Sequence, residues 1–264
     1  MTEQIEIDLK RLEIEKGIKI LYAVESGSRA WGFASTDSDW DVRFIYVHRP
    51  EWYLSIDDNR DNMEVMLPND LDFAGWELRK TLKLFRKSNP PLLEWLRSPL
   101  IYLEQFSTAK QMRKLTNDYF NPRSCTYHYL HMAEGNYRNY LQTEMVRVKK
   151  YFYVLRPILA CQWIESTGEM APMEFQKLVD AHIDNQELRR EIDKLLERKK
   201  KGEELDKEPR IQIINDYVES QIEHFNQVVK NYDKESKPET KKLDNLFRQT
   251  LNEVWKTEIK STKA

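Results

Sequence analysis

The sequence predicts an α/β protein of the α+β kind. A small domain on a mixed sheet, residues 1–104, precedes an all-helical domain, residues 105–264. Two observations carry this. Short β-rich runs alternate with helical ones before residue 104, and almost everything after it has helical periodicity. Charged residues make up 33% while glycines number 7 in 264 residues, a balance that favours helix over a many-turned sandwich or barrel.

The elements follow in order. Residues 2–16 place Ile5, Leu9, Leu12 and Ile14 at helical spacing. IKILYAVE, 18–25, is a β-branched run that ends at the breaker cluster Ser26-Gly27-Ser28. A short helix through Ala30 and Trp31 is expected next, then a strand over DWDVRFIYV, 39–47. MEVML, 63–67, and DLDF, 70–73, read as further strands, and GWELRKTLKLFRKS, 75–88, as an amphipathic helix. Pro90-Pro91 stops it and opens another short helix. Helical patterns then cover 105–118, 122–141, 144–166, 172–182, 185–200, 208–232 and 238–260. The charge-dense run at 197–209, with Gly202 and Pro209, reads as an exposed loop, and the tail at 258–264 as a fraying end.

Bulk properties set limits. The net charge of −2 argues against a protein that coats DNA generally, yet leaves room for a local basic patch. Cys125 and Cys161 sit in apolar helical stretches outside any Cys-x-x-Cys pair, as expected of buried thiols in a reducing compartment. No apolar run approaches the ~20 residues of a membrane span, and the acidic N-terminal segment lacks a signal-peptide core. The expectation is a cytoplasmic protein with no membrane partner.

The chemistry concentrates in Gly27-Ser28 followed, after ten intervening residues, by Asp39-Trp40-Asp41. On a strand, Asp39 and Asp41 project to the same face. Their mutual repulsion is costly unless a cation sits between them. Such hard oxygen donors suit Mg²⁺ or Mn²⁺, as phosphoryl or nucleotidyl transfer requires. A glycine after a strand lets backbone N–H groups approach phosphate, the Ser28 hydroxyl adds a donor, and Arg29 stands beside it. A two-metal site needs a third carboxylate. Asp72 is favoured because it opens the strand-to-helix transition, with Asp70 and Glu64 as alternatives. A lone Asp-x-Asp is weak evidence, for it is usually a turn and a solvated strand residue; after a β-run and Gly-Ser at this spacing it is strong.

ESGSRAWGFASTDSDWDVRFIYV resembles the nucleotidyltransferase motif of the DNA polymerase beta superfamily. The detail of that stretch, with DLDFAGWELRK, KSNPPLLEWLRSP and VKKYFYVLRPILACQWI, is similar to the RNA-repair-pathway branch, over roughly residues 18–166. The resemblance implies metal-binding, catalytic carboxylates at Asp39, Asp41 and Asp72, Gly27 and Ser28 against the triphosphate, a nucleoside triphosphate as substrate, Mg²⁺ or Mn²⁺ as cofactor, and an RNA end as acceptor.

Downstream, Lys149, Lys150, Tyr153 and Arg156 form a basic aromatic group on an expected helix, with Lys149, Tyr153 and Arg156 on one face. They are candidates to bind the triphosphate and stack on the base; the bland alternative is a solvated helix face. Pro157 is expected to weaken or kink that helix. In residues 126–141, Tyr127, Tyr129, Tyr137, Arg138 and Tyr140 offer single-strand stacking, with core packing favoured. For His128 and His131, hydrogen bonding is favoured over metal binding. Trp31 and Trp40 flank the proposed site.

The reaction expected is transfer of a nucleoside monophosphate to an acceptor hydroxyl with release of pyrophosphate. An RNA acceptor predicts binding that weakens steeply with salt. A small-molecule or protein acceptor is the alternative, mildly favoured by the net charge, and a non-catalytic nucleotide-sensing or RNA-binding module is a reading of another class.

Overall fold

The computed structural model describes residues 1–67, 71–203, 205–232 and 238–256. In chain order its elements begin with helix α1 (Thr2–Lys16), strands β1 (Lys19–Glu25) and β2 (Trp40–Val47), helix α2 (Pro50–Tyr53), and strands β3 (Asn62–Leu67) and β4 (Leu71–Glu77). Helices α3 (Leu78–Arg86) and α4 (Pro90–Leu96), strand β5 (Ile101–Glu104) and helix α5 (Thr108–Tyr119) follow. Then come α6 (Pro122–Tyr140), β6 (Met145–Arg147), a 3₁₀ turn at Val148–Tyr151, α7 (Phe152–Thr167), α8 (Phe175–His182), α9 (Gln186–Lys200), β7 (Lys207–Pro209), α10 (Gln212–Asn231) and α11 (Lys241–Trp255).

The chain forms two compact units. One comprises Met1–Gly27, Asp39–Tyr119 and Ser236–Ala264, the other Ser28–Ser38 and Phe120–Glu235. The boundary expected after residue 104 therefore falls inside the first unit. Periodicity cannot reveal which segments share a core: it marks 28–38 as belonging with the strands around it, and α11 with the helices before it.

The first unit holds a five-stranded mixed sheet in the order β3-β4-β2-β1-β5. Only β2 and β4 run parallel; the other pairs are antiparallel. One face carries a core in which Ile5, Leu9 and Leu12 of α1 meet Ile20, Val42, Phe44, Tyr46, Leu71 and Phe73. Burial alternates along β4, with Leu71, Phe73, Gly75 and Glu77 inward and Asp72, Ala74 and Trp76 on the opposite face. Gly75 is opposite Phe44 in the parallel register, and a Cβ there would lie 2.2 Å from the Phe44 ring. Its hydrogen is what lets the ring lie across the sheet.

Several expectations need correction. β4 continues to Glu77, so the helix predicted from residue 75 starts at Leu78. Pairing of Trp76 with Ile45 and Glu77 with Tyr46 overrides the helical periodicity there, and the Glu77 carboxylate then caps α3 by accepting from the Arg79 and Lys80 amides at 2.8 and 3.1 Å. The expected helix at Ala30–Trp31 is a run of turns. The expected helix over 144–166 is a strand, a 3₁₀ turn and α7, because Met145–Arg147 pairs with Lys207–Pro209 at the end of the expected loop. β5 and α2 lacked a clear sequence signal. Asp70 and the tail from 258 lie outside the described residues.

The second unit is built on α7, whose buried residues run all round its axis: Phe152, Val154, Leu155, Arg156, Pro157, Ile158, Leu159, Ala160, Cys161 and Ile164. A helix without a polar face is a central helix, and α6, α8 and α10 pack around it. Pro157 lies inside it. Both cysteines are fully buried free thiols. Among the described residues no helix is long and apolar enough to cross a membrane.

Candidate active site

In the first unit, β2 and β4 set Asp41 and Asp72 directly beside each other in the parallel register, on the face opposite the α1 core. Asp39 immediately precedes β2 and is exposed. Glu64 pairs with Ala74, one strand further out and two residues along from Asp72. Register thus favours Asp72 over Glu64 as the neighbour of Asp41.

A residue that the sequence reading passed over joins the pair. Arg43 is two residues from Asp41 and so on the same face. Its Nη2 donates to Asp41 Oδ1 at 2.9 Å and to Asp72 Oδ2 at 2.8 Å. Its Nη1 donates to the Asp72 carbonyl at 3.0 Å and the Val42 carbonyl at 3.3 Å. Ala74, opposite Arg43 in the register, is too small to obstruct the guanidinium as it reaches Asp72. Among the described residues no three acidic, histidine or cysteine side chains converge as a ready metal cluster. Arg43 instead stands between Asp41 and Asp72 and engages one oxygen of each. The residues nevertheless fit a divalent cation: the donors are hard oxygens, and the space between two of the carboxylates holds positive charge. Burial pushes the Asp41 carboxyl above the usual aspartate value, opposed by Arg43 and reinforced by the negative charges of Asp72 and Asp39.

Gly27 lies against Asp41. A Cβ on it would stand 1.8 Å from Asp41 Oδ2 and 2.7 Å from its Cγ. Gly27 is not among the glycines with positive φ. The position therefore demands glycine because the Asp41 side chain occupies the space of a methyl group. The Ser26 amide donates to the Asp41 carbonyl at 2.9 Å, which fixes the turn to β2.

Glu25 underlies both and was also missed. It is fully buried at the end of β1. Its Oε1 accepts from the Asp41 amide at 3.0 Å and, more weakly, the Gly27 amide at 3.4 Å, while Oε2 accepts from the Tyr102 hydroxyl at 2.5 Å. Burial raises its pKa above the ordinary value, with the Tyr102 bond opposing. The available signal was an acid closing an otherwise apolar strand just before Ser-Gly-Ser.

The second unit contains the remaining expected residues. Within Ser28–Ser38, the Arg29 guanidinium donates to the Ser38 carbonyl at 2.6 Å and closes the loop. The Phe33 ring stacks on Phe152 at 4.8 Å, and Phe175 donates its amide to the Trp31 carbonyl at 2.9 Å. Lys149 is exposed, and Lys150 lies over the rings of both Tyr140 and Tyr153 at 4.5 and 4.7 Å. Arg156 is only 1% exposed, lies 4.8 Å from the Trp31 ring centroid, and contacts the Met173 sulfur at 3.7 Å. It does not share an open face with Lys149 and Tyr153. The 3₁₀ turn before α7 shifts the helical phase, and α7 is buried all round. His131 sits 3.6 Å from Glu134, and among the described residues no metal cluster forms around the histidine pair.

A relative in Bacillus subtilis strain 168, the uncharacterised protein YcgL, is 54% identical over 256 residues, covering 97% of this chain and 98% of that protein. Among solved structures, a nucleotidyltransferase-like protein from Exiguobacterium sibiricum 255-15 aligns over 94% of this chain and 80% of its own, at 10% identity and a TM-score of 0.33, which is too distant to carry an argument. The model of the RNA repair pathway DNA polymerase beta family matches residues 1–249, and the chain belongs to that family.

Proposed function

We infer from its family that this chain is a nucleotidyltransferase. We propose that it transfers a nucleoside monophosphate from a nucleoside triphosphate to the hydroxyl of an RNA end, releasing pyrophosphate. The observation that carries the chemistry is the in-register pair Asp41 and Asp72, bridged by the Arg43 guanidinium, with Asp41 packed against Gly27. The family's description supports RNA as the acceptor.

Asp39, Asp41 and Asp72 would hold Mg²⁺ or Mn²⁺. When bound, such ions polarise phosphate oxygens, lower the pKa of an attacking hydroxyl and neutralise charge on the leaving group. The protein's own groups prepare that site. Glu25 fixes the Asp41 backbone, and Gly27 leaves room for the Asp41 carboxylate. Asp72, 34% exposed at its side chain, is the most open of the bridged pair and is proposed to accept the proton of the acceptor hydroxyl.

The nucleotide-contact roles rest on side-chain chemistry. Gly27 and Ser28 are proposed for the outer phosphates, exposed Lys149 for phosphate charge, and Lys150 with Tyr153 for a phosphate and a base. Arg29 and Arg156 would contact nucleotide only on leaving the contacts described above, so their expected effect on substrate binding is smaller.

The test is transfer of label from each α-labelled ribonucleoside triphosphate, with Mg²⁺ or Mn²⁺, to RNA, to a small-molecule extract and to protein. The expected result is label in RNA, reduced at least ~100-fold in Asp41→Asn. Undiminished transfer by the Asp39→Asn, Asp41→Asn double variant would overturn the mechanism, and label in another fraction would overturn the acceptor.

A further inference from the structure

Two half-buried carboxylates of adjacent strands repel each other unless a positive charge lies between them. Here the compensating charge belongs to the chain itself. Arg43 reaches four acceptors, two carboxylate oxygens and two carbonyls, with its side chain 19% exposed. This is a fixed position, unlike that of a long surface arginine. The oxygens it uses, Asp41 Oδ1 and Asp72 Oδ2, belong to the proposed metal ligands.

We propose that Arg43 is a built-in competitor for the divalent cation: it holds Asp41 and Asp72 together while no metal is bound and withdraws as the metal enters. This rests on the reading of Asp41 and Asp72 as metal ligands. A lone pair engaged by Nη2 is unavailable to a metal, and a guanidinium between the two carboxylates would repel a second cation placed there. Entry is therefore an exchange of cations, with two charge-assisted hydrogen bonds broken and no covalent bond changed. The apparent metal affinity is lowered by the fraction of molecules in which Arg43 holds the site.

Release also gives Arg43 a second use. Its planar fork suits phosphate oxygens as well as carboxylates. A triphosphate arriving with the metal offers the displaced guanidinium a new anion, so nucleotide strengthens metal binding. Metal alone meets the full competition. The site thus favours loading by metal and nucleotide together.

The experiment is a Mn²⁺ titration of the full chain without nucleotide, followed by the electron paramagnetic resonance of free Mn²⁺. It uses the unaltered protein, Arg43→Gln, Arg43→Lys and the Asp41→Asn, Asp72→Asn double variant. Melting temperatures are taken with and without Mn²⁺. Arg43→Gln is expected to bind Mn²⁺ at least ~10-fold more tightly, melt lower without metal, and gain more on adding it. Arg43→Lys keeps the charge but loses the fork, so it should fall between. It reads the same competition if Arg43→Gln does not fold. Unchanged or weaker Mn²⁺ binding in the folded Arg43 variants would overturn the competitor role while leaving the metal site standing. Mn²⁺ binding by neither the unaltered protein nor an Arg43 variant, or binding undiminished in the double variant, would remove the metal reading and the competitor role with it.

Discussion

Replacing Gly27 by alanine puts a methyl carbon 1.8 Å from Asp41 Oδ2, 2.7 Å from its Cγ and 3.1 Å from its Cβ. Carbon and oxygen without a bond between them need more than 3 Å, roughly. Asp41 Cβ belongs to the strand, so the carboxylate must swing about χ1. It then leaves its 2.9 Å bond with Arg43. Overpacking of this kind costs about 1–3 kcal/mol. At about 2–4 °C per kcal/mol for a chain of this size, the melting temperature should drop by about 2–12 °C. The loss of function should be larger in proportion, because a reacting group misplaced by about 1 Å costs ~100-fold in rate. Thermal unfolding and label transfer, with Mn²⁺ binding, separate the two effects. A Gly27→Ala protein with unaltered transfer and melting temperature would refute the steric argument.

Other perturbations test other levels of the structure. Gly75→Ala collides with the Phe44 ring in the main sheet core and should destabilise by about 1–3 kcal/mol in denaturant titration. Arg156→Ala should destabilise by about 2–5 kcal/mol through the void it leaves beside Trp31, while Arg156→Met, which retains the volume, should restore most of the loss. Glu25 has a folded pKa raised above 4.5, so its favourable contribution is complete below 4.5 and lost as pH rises through the folded value. Relative to the unaltered protein, Glu25→Gln should therefore gain stability as pH increases across that window; a gap independent of pH in melting experiments would contradict this. Cys161 is fully buried and its thiol pKa is raised by burial, so a thiol reagent should modify it only at the rate of unfolding.

How much could be read in advance follows from which interactions are local. α1 was legible from an apolar period of about 3.6, β1 from a β-branched run ended by a breaker cluster, and β2 from its early alternation, all written along the chain itself. The Gly-Ser and Asp-x-Asp signature was legible for the same reason, since its spacing is written in the chain, although Asp39 stands just ahead of β2 and not on it. Asp72 was favoured in the sequence as the opening of a strand-to-helix transition, which instead comes at Glu77; its place beside Asp41 follows from β4 lying parallel to β2 in a defined register. Arg43 carried no pattern of its own, and Glu25 only that of an acid closing an apolar strand. One owes its place to a carboxylate on another strand, the other to an amide and a tyrosine brought in by β2 and β5.

By itself, then, the sequence determined the fold class and brought Gly27, Asp39, Asp41 and Asp72 forward as candidates. Tertiary structure decided which cation stands between Asp41 and Asp72, why Gly27 admits no side chain, and that Arg156 is buried against Trp31 and Met173. Helical and strand periods are set by backbone geometry over a few residues. Register, burial and the charge facing a side chain are set by segments far apart in sequence, whose meeting no local pattern records.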